Sequence, residues 1–330
     1  MAELRYYREE TADPAALDGQ LIALVGYGNL GRPAALSLRE AGLEVIVGAR
    51  PGESARRAEA DGLTVVPVEE AIARAEVLWL ALPDEVVPSL LAPEAAKRPR
   101  SGALVVFSSG YCLANDLLKL HDDVDVALLA PRMIGSKLRA KVESGEGFFA
   151  FVSVEHDATG TAEARLLALA RAFGALKRPA FAVSAEVEAA LDTYVEQSVG
   201  PLLGAAVLSA FEVGVAHGLP PEALSLELYL SGEMAATWEA FAREGFFAGV
   251  RLHGHAASYG GFLRMGDLDT EEMKSRFAAV LEDITSGGFA AKFQEELASG
   301  SPTRALIEAM TGGDDPLSRA EHTVRRAEGA

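Results

Sequence analysis

Sulfur chemistry is nearly absent from this chain. Its 330 residues include one cysteine, Cys112, so no intramolecular disulfide can form and the fold must rest on packing. Positive charge is also short, with 30 lysines and arginines against 48 acidic residues and a net charge of −18. That balance argues against binding nucleic-acid phosphates or anionic lipid. No apolar run is seen to reach the ~18–20 residues that would cross a bilayer. The charged N-terminal stretch MAELRYYREE lacks the apolar core of a signal peptide. A cytoplasmic location is the expectation that follows. Hydrophobic residues make up 49% and charged residues 24%, a globular balance, and the length suits about two domains.

What is present is a nucleotide-binding pattern. In LIALVGYGNLGRPAAL, residues 21–36, an apolar run leads into Gly26, Gly28 and Gly31 in GxGxxG spacing and then into a helix-forming segment. Glycine at these places allows a tight turn, lets backbone approach a pyrophosphate, and lets the helix pack close to the strand. The expected cofactor contacts here are Gly26, Tyr27, Gly28, Asn29, Leu30 and Gly31, with the pyrophosphate on the helix N-terminus.

Short apolar runs alternate with helical segments through the first half, the pattern of a parallel sheet covered on both faces. Strands are expected at 22–25, 44–47, 77–82, 104–107, 124–129, 149–154 and 181–183. After residue 183 the periodicity is helical almost throughout. The expectation is an α/β Rossmann domain over residues 1–183 and an all-α domain over residues 184–330.

The second expected strand runs into GARPGESARR. An acidic residue at this point suits the ribose hydroxyls of NAD, and arginine suits the extra phosphate of NADP. Arg50, Ser54, Arg56 and Arg57 favour NADP(H), since the guanidinium fork matches phosphate. Glu53 keeps NAD(H) open. Further along, Asp192 and Glu196 stand four residues apart on one helix face, a hard-oxygen pair suited to Mg²⁺. The same spacing occurs on many solvated helices. Glu233 is a candidate third carboxylate.

The order and wording of these segments resemble the ketol-acid reductoisomerase family, NADP(H)- and Mg-dependent enzymes of branched-chain amino acid synthesis. The similarity runs along nearly the whole chain, through YYREETADPAALDGQLIALVGYG, VIVGARPG, AEADGLTV, ALPDEVVP, LLAPRMIGS and LEDITSGGFAAKF. It implies an N-terminal Rossmann domain, a knotted helical C-terminal domain, and a homodimer or larger assembly whose subunits share each site. It also adds Leu82, Pro83, Asp84, Ser109, Gly110 and Pro131 to the expected cofactor contacts. The family's first-metal aspartate and glutamate correspond to Asp192 and Glu196.

Other chemical positions depart from the family. Of the two partner-donated glutamates, the later corresponds to Glu233 and the earlier to Tyr229. Glu227 lies six residues before Glu233 and would point about 120° away on a regular helix, unless the backbone is irregular at Gly232. The family histidine becomes Ser109 and its lysine becomes Arg132, and the family's serine-rich SISDTAEYG is replaced by LHGHAASYG, putting Gly254 between His253 and His255.

Losing a ligand of the second metal should damage the alkyl shift more than the hydride step. The leading expectation is a reductase of a 2-oxo acid or imine that has lost the isomerisation. Arg132 would orient the substrate carboxylate and His253 or His255 would supply a proton, with Glu196, Glu233 and Ser109 beside the substrate. A genuine reductoisomerase and a noncatalytic NADP-binding homologue are the alternatives. Ser109 also reads as a small residue making room for substrate, and Cys112 as packing.

Overall fold

A computed structural model of the chain describes residues 4–91, 98–311 and 313–329. The chain divides into two compact units, Met1–Asp192 and Thr193–Ala330. The division falls inside a long helix that begins at Ala185.

Among the described residues the first unit has nine strands: β1 (Tyr6–Tyr7), β2 (Leu21–Val25), β3 (Glu44–Gly48), β4 (Thr64–Val66), β5 (Val77–Leu80), β6 (Leu104–Phe107), β7 (Asp125–Pro131), β8 (Ala150–His156) and β9 (Ala180–Ala182). Their order across the sheet is β1-β9-β8-β7-β6-β5-β2-β3-β4. The sheet is mixed, which corrects the all-parallel expectation: β7 pairs antiparallel with β8, and β1 with β9. β1 and β4 were not anticipated, because two or three residues carry no readable alternation.

Helices α1 (Gly31–Glu40), α2 (Glu53–Ala60), α3 (Val68–Arg74), α4 (Val87–Leu91), α5 (Tyr111–Ala114), α6 (Gly135–Glu143) and α7 (Ala162–Phe173) complete this unit, with the start of α8 (Ala185–Ala216). The apolar residues of β2 go to opposite sides, as the two-residue period of a strand requires. Ile22 and Leu24 enter one buried cluster with Ala34, Leu38 and Phe173, whereas Ala23 and Val25 enter another with Ala71, Ile72 and Leu128. Burial on both faces explains why LIALV reads as a continuous apolar run.

The connections diverge at β2. The chain leaves it to β3 on one side, and β5 occupies the other. This reversal opens a crevice at the carboxyl ends of β2 and β5, the place where doubly wound sheets bind ligands. A hydrogen-bonded group braces the same region: Tyr27 Oη donates to Asp61 at 2.8 Å, and Arg32 reaches both oxygens of Asp61 at 2.7 and 3.0 Å. The Arg32 guanidinium, with Tyr27 adding to it, holds the Asp61 carboxyl down at about 2. A carboxyl lowered on folding stabilises above its ordinary value of ~3.9. That contribution fades as pH falls to about 2. Asp61→Asn should therefore lower the Tm at neutral pH, and the difference from wild type should shrink on acidification below ~4. Thermal melts across that range check it.

The second unit contains the rest of α8, then α9 (Pro221–Ser225), a π-helical turn (Leu226–Leu230), α10 (Glu233–Glu244), α11 (Phe246–Gly249), α12 (His255–Gly266), α13 (Thr270–Thr285), α14 (Gly288–Ala298), α15 (Pro302–Thr311) and α16 (Pro316–Ala327). No strand is assigned among its described residues. Large apolar side chains stand exposed on this unit, Val213 at 59% and Phe247 at 80% among them.

The 32-residue α8 corrects one expectation. It contains an 18-residue window of mean hydropathy 1.7, long and apolar enough to cross a membrane by length and composition. Ser198, Gly200, Pro201 and Gly204 break the visible run yet scarcely lower its mean hydropathy.

Candidate active site

The crevice beside β2 is a cavity of about 660 Å³ lined by Gly26, Tyr27, Gly28, Arg50, Glu53, Ser54, Leu82 and Pro83, among others. Its shape depends on two close approaches. Gly26 has φ +99°, and a Cβ there would come 2.4 Å from the Ala81 carbonyl oxygen. A Cβ on Gly31 would come 2.0 Å from the carbonyl oxygen of Gly26, so only glycine lets α1 start this near the strand. At Gly28 a Cβ would meet nothing within 4 Å. The backbone of Gly28 is therefore open to the cavity, and the crevice fits an elongated dinucleotide.

Asn29, Leu30, Gly31, Arg57, Asp84, Ser109, Gly110 and Pro131, also expected as cofactor contacts, are not among the residues that line this cavity. Leu30 precedes the first turn of α1, and Asn29 packs against Gly135, whose added Cβ would lie 2.8 Å from the Asn29 Cβ. Arg57 is paired with Glu53 at 3.1 Å across one helical turn. This bond ties the acidic residue that kept NAD(H) open to a neighbouring cation. Pro131 ends β7 opposite Ala150.

A second polar group gathers at the carboxyl ends of β5, β6 and β7. The Ser109 hydroxyl donates to Asp84 at 3.1 Å and accepts from the Tyr111 amide at 3.2 Å. This geometry anchors the loop to Asp84 and to the start of α5. Burial, reinforced by the carboxylates of Asp84 and Glu85, pushes the Cys112 thiol up to about 12. Cys112 is thus a packed thiol, not a reactive one.

Arg132 follows β7 and turns toward the first residues of α8. Its Nη2 donates to Glu188 at 2.7 Å and its Nη1 to Asp192 at 2.8 Å. Phe151 lies under the guanidinium, with ring centroid 5.0 Å away. The second oxygen of Glu188 accepts from the Gly110 amide at 2.7 Å. Glu188 is 1% exposed, and that burial outweighs Arg132 and raises its carboxyl above the ordinary range. Sequence reasoning passed over Glu188. Its only signal was position, one turn before Asp192 on the same helix face.

In the second unit, Glu196 lies on α8, and Glu233 opens α10 just after Gly232, which has φ +80°. The π-helical turn and the left-handed Gly232 together form the irregularity on which a role for Glu227 depended. The regular-helix argument against Glu227 therefore does not apply. The Tyr229 hydroxyl, however, hydrogen bonds to Glu321 on α16. Burial and this carboxylate raise the Tyr229 phenol well above its ordinary value. His253 and His255 flank Gly254 at the start of α12, and both are exposed.

Two of these side chains are engaged in ways that the metal set suggested by the family resemblance does not include. Asp192 is already met by a guanidinium, and the position of one second-metal glutamate holds a tyrosine committed to Glu321. Among the described residues no group of three or more His, Cys, Asp or Glu is arranged to hold a metal ion.

Residues 16–178 match the family model described as acetohydroxy acid isomeroreductase, NADPH-binding domain. Residues 186–328 match ketol-acid reductoisomerase, C-terminal domain. The chain is 32% identical over 326 residues to the ketol-acid reductoisomerase (NADP(+)) of Pyrobaculum neutrophilum, covering 98% of each protein. It is 29% identical to that of Methanosphaera stadtmanae, covering 97% of this chain and 96% of the relative. Among solved structures, an NADH-preferring ketol-acid reductoisomerase from an uncultured archaeon superposes with a TM-score of 0.91 at 25% identity, over 98% of this chain and 99% of the other. The α/β sheet unit with its Gly-rich crevice, the helical second unit and these full-length matches agree, and the chain belongs to the ketol-acid reductoisomerase family.

Proposed function

We propose that this family member is an NADP(H)-dependent reductase of a carboxylate-bearing 2-oxo acid or imine that does not carry out the isomerisation. The observation that carries this reading is the commitment of two side chains at positions where the family's metal chemistry is expected: Arg132 to Asp192 and Glu188, and Tyr229 to Glu321. An alkyl shift needs two adjacent oxygens polarised by metal ions. Reduction needs a bound nicotinamide, an orienting cation and a proton donor.

NADPH, when bound, supplies the hydride. Gly26, Gly28 and the first turn of α1 would hold its pyrophosphate, and Arg50 and Ser54 its 2′-phosphate. Arg50→Ala should weaken NADPH binding roughly tenfold while leaving NADH binding nearly unchanged, because it removes one charge-assisted contact to the phosphate. Fluorescence titration with both cofactors measures it. A guanidinium carries five N–H donors, and Arg132 Nε is buried without a protein partner. In this reading Arg132 meets the substrate carboxylate through the outer guanidinium hydrogens that the two ion pairs leave unused. His253 or His255 supplies the proton that neutralises the new alkoxide or amine.

The assembly in this reading is a homodimer or larger, with the exposed apolar side chains of the helical unit covered by a second copy. Light scattering after gel filtration should give at least twice the chain mass. The function is tested by following NADPH oxidation with a panel of 2-oxo acids and carboxylated cyclic imines. Turnover of at least one is expected, and tight NADPH binding without turnover of any would replace this reading with the noncatalytic one.

A further inference from the structure

We propose that Arg132 stands in for a divalent cation at Asp192, one of the two carboxylates that the family resemblance assigned to the first metal, and pairs it with Glu188 so that this corner of the site works without metal. The inference rests on the reductase reading for its place in the reaction, but its evidence is separate. Two carboxylates one helical turn apart repel unless a cation lies between them. A bound Mg²⁺ and a side-chain cation are alternative ways of meeting that need. Here the need is met within one unit of the chain: the guanidinium spans both carboxylates at 2.7 and 2.8 Å.

The guanidinium is also fixed in place. Phe151 supports its face, and the Arg132 backbone amide donates to the Phe149 carbonyl at 2.7 Å. Glu188 is held in turn by the Gly110 amide. Arginine is always charged and bidentate, whereas lysine is a mobile point charge. A rigid monovalent cation in contact with Asp192 opposes entry of a doubly charged ion at the same carboxylate. Asp192 and Glu188 are thereby positioning residues that aim Arg132, with Arg132 the group that meets substrate.

The test uses Mn²⁺ as probe, followed by electron paramagnetic resonance and calorimetry on the full chain with NADPH present and no substrate. Wild type is expected to show no saturable Mn²⁺ binding into the millimolar range, and its Tm should not respond to Mg²⁺ or EDTA. Arg132→Gln should gain a Mn²⁺ site, and adding Asp192→Asn should remove it. Stoichiometric Mn²⁺ binding to wild type, lost in Asp192→Asn, would overturn the proposal, as would a folded Arg132→Gln protein that gains no site. If Arg132→Gln does not fold, the wild-type and Asp192→Asn titrations decide alone. Because no substrate is present, a metal-binding wild type refutes this inference while leaving the reductase reading to be judged by NADPH oxidation.

Discussion

Gly31→Ala is expected to abolish measurable NADPH binding while leaving the helical unit folded. The added methyl would stand 2.0 Å from the Gly26 carbonyl oxygen, and both atoms belong to backbone-defined positions with no flexible end to move. Either α1 shifts outward or the turn at Gly26 opens. The second route is resisted, because the Gly26 turn packs closely beside Ala81 and Leu82. Overpacking of this kind costs about 1–3 kcal/mol in a core that can adjust, and more where backbone meets backbone. Displacing α1 also moves the helix N-terminus on which a pyrophosphate would sit. Cofactor titration together with far-UV circular dichroism separates lost binding from lost fold. Gly28→Ala is the contrast: its Cβ meets no protein atom, so it should fold normally and weaken NADPH only through contact with the cofactor itself.

The second large effect concerns stability. Asp125 is fully buried at the start of β7, and its side chain accepts from Arg165 of α7 and from the amide and hydroxyl of Thr159 at 2.9 and 2.7 Å. Arg165 Nη1 reaches on to the Gly102 carbonyl at 3.1 Å. Removing one partner from such a pair leaves the other charge buried and uncompensated, at a cost of about 3–5 kcal/mol. Arg165→Ala should therefore lower denaturant stability by that amount. Asp125→Asn with Arg165→Met should recover part of the loss, since a buried pair replaced as a unit is often near neutral. Equal stability of Arg165→Ala and wild type in urea would refute this account of the β7–α7 packing.

Much of the first unit was legible in the sequence. The runs at 22–25 and 104–107 are apolar throughout because both faces of those strands are covered, and they and the run at 44–47 fall where strands were expected. The edges were harder to read. Tyr6–Tyr7 and Thr64–Val66 are too short for any period. The antiparallel pairing of β7 with β8 depends on the chain turning back after α6, which no local pattern records.

The site divided in the same way. Gly26, Gly28 and Gly31 announced themselves by spacing, and Arg50 and Ser54 by chemistry. Glu188 did not, because a buried glutamate is recognised by its partners, the Arg132 guanidinium and the Gly110 amide, both of which are distant in sequence. Nor could spacing show that Arg132 would turn onto Asp192, or that Tyr229 would be held by Glu321, 92 positions away. The irregular backbone before Gly232 was named as a condition for Glu227. Only the structure contains it, since a π-helical turn has no sequence signature.

The central claim is that reduction survives without rearrangement, and it is tested most directly by following NADPH oxidation with two substrates side by side. One is 2-acetolactate, which must rearrange before it can be reduced, and the other is 3-hydroxy-3-methyl-2-oxobutanoate, the rearranged ketone, each with and without Mg²⁺. Oxidation with the rearranged ketone alone, independent of Mg²⁺, is the result this account predicts. Mg²⁺-dependent oxidation with 2-acetolactate would contradict it and establish a complete reductoisomerase.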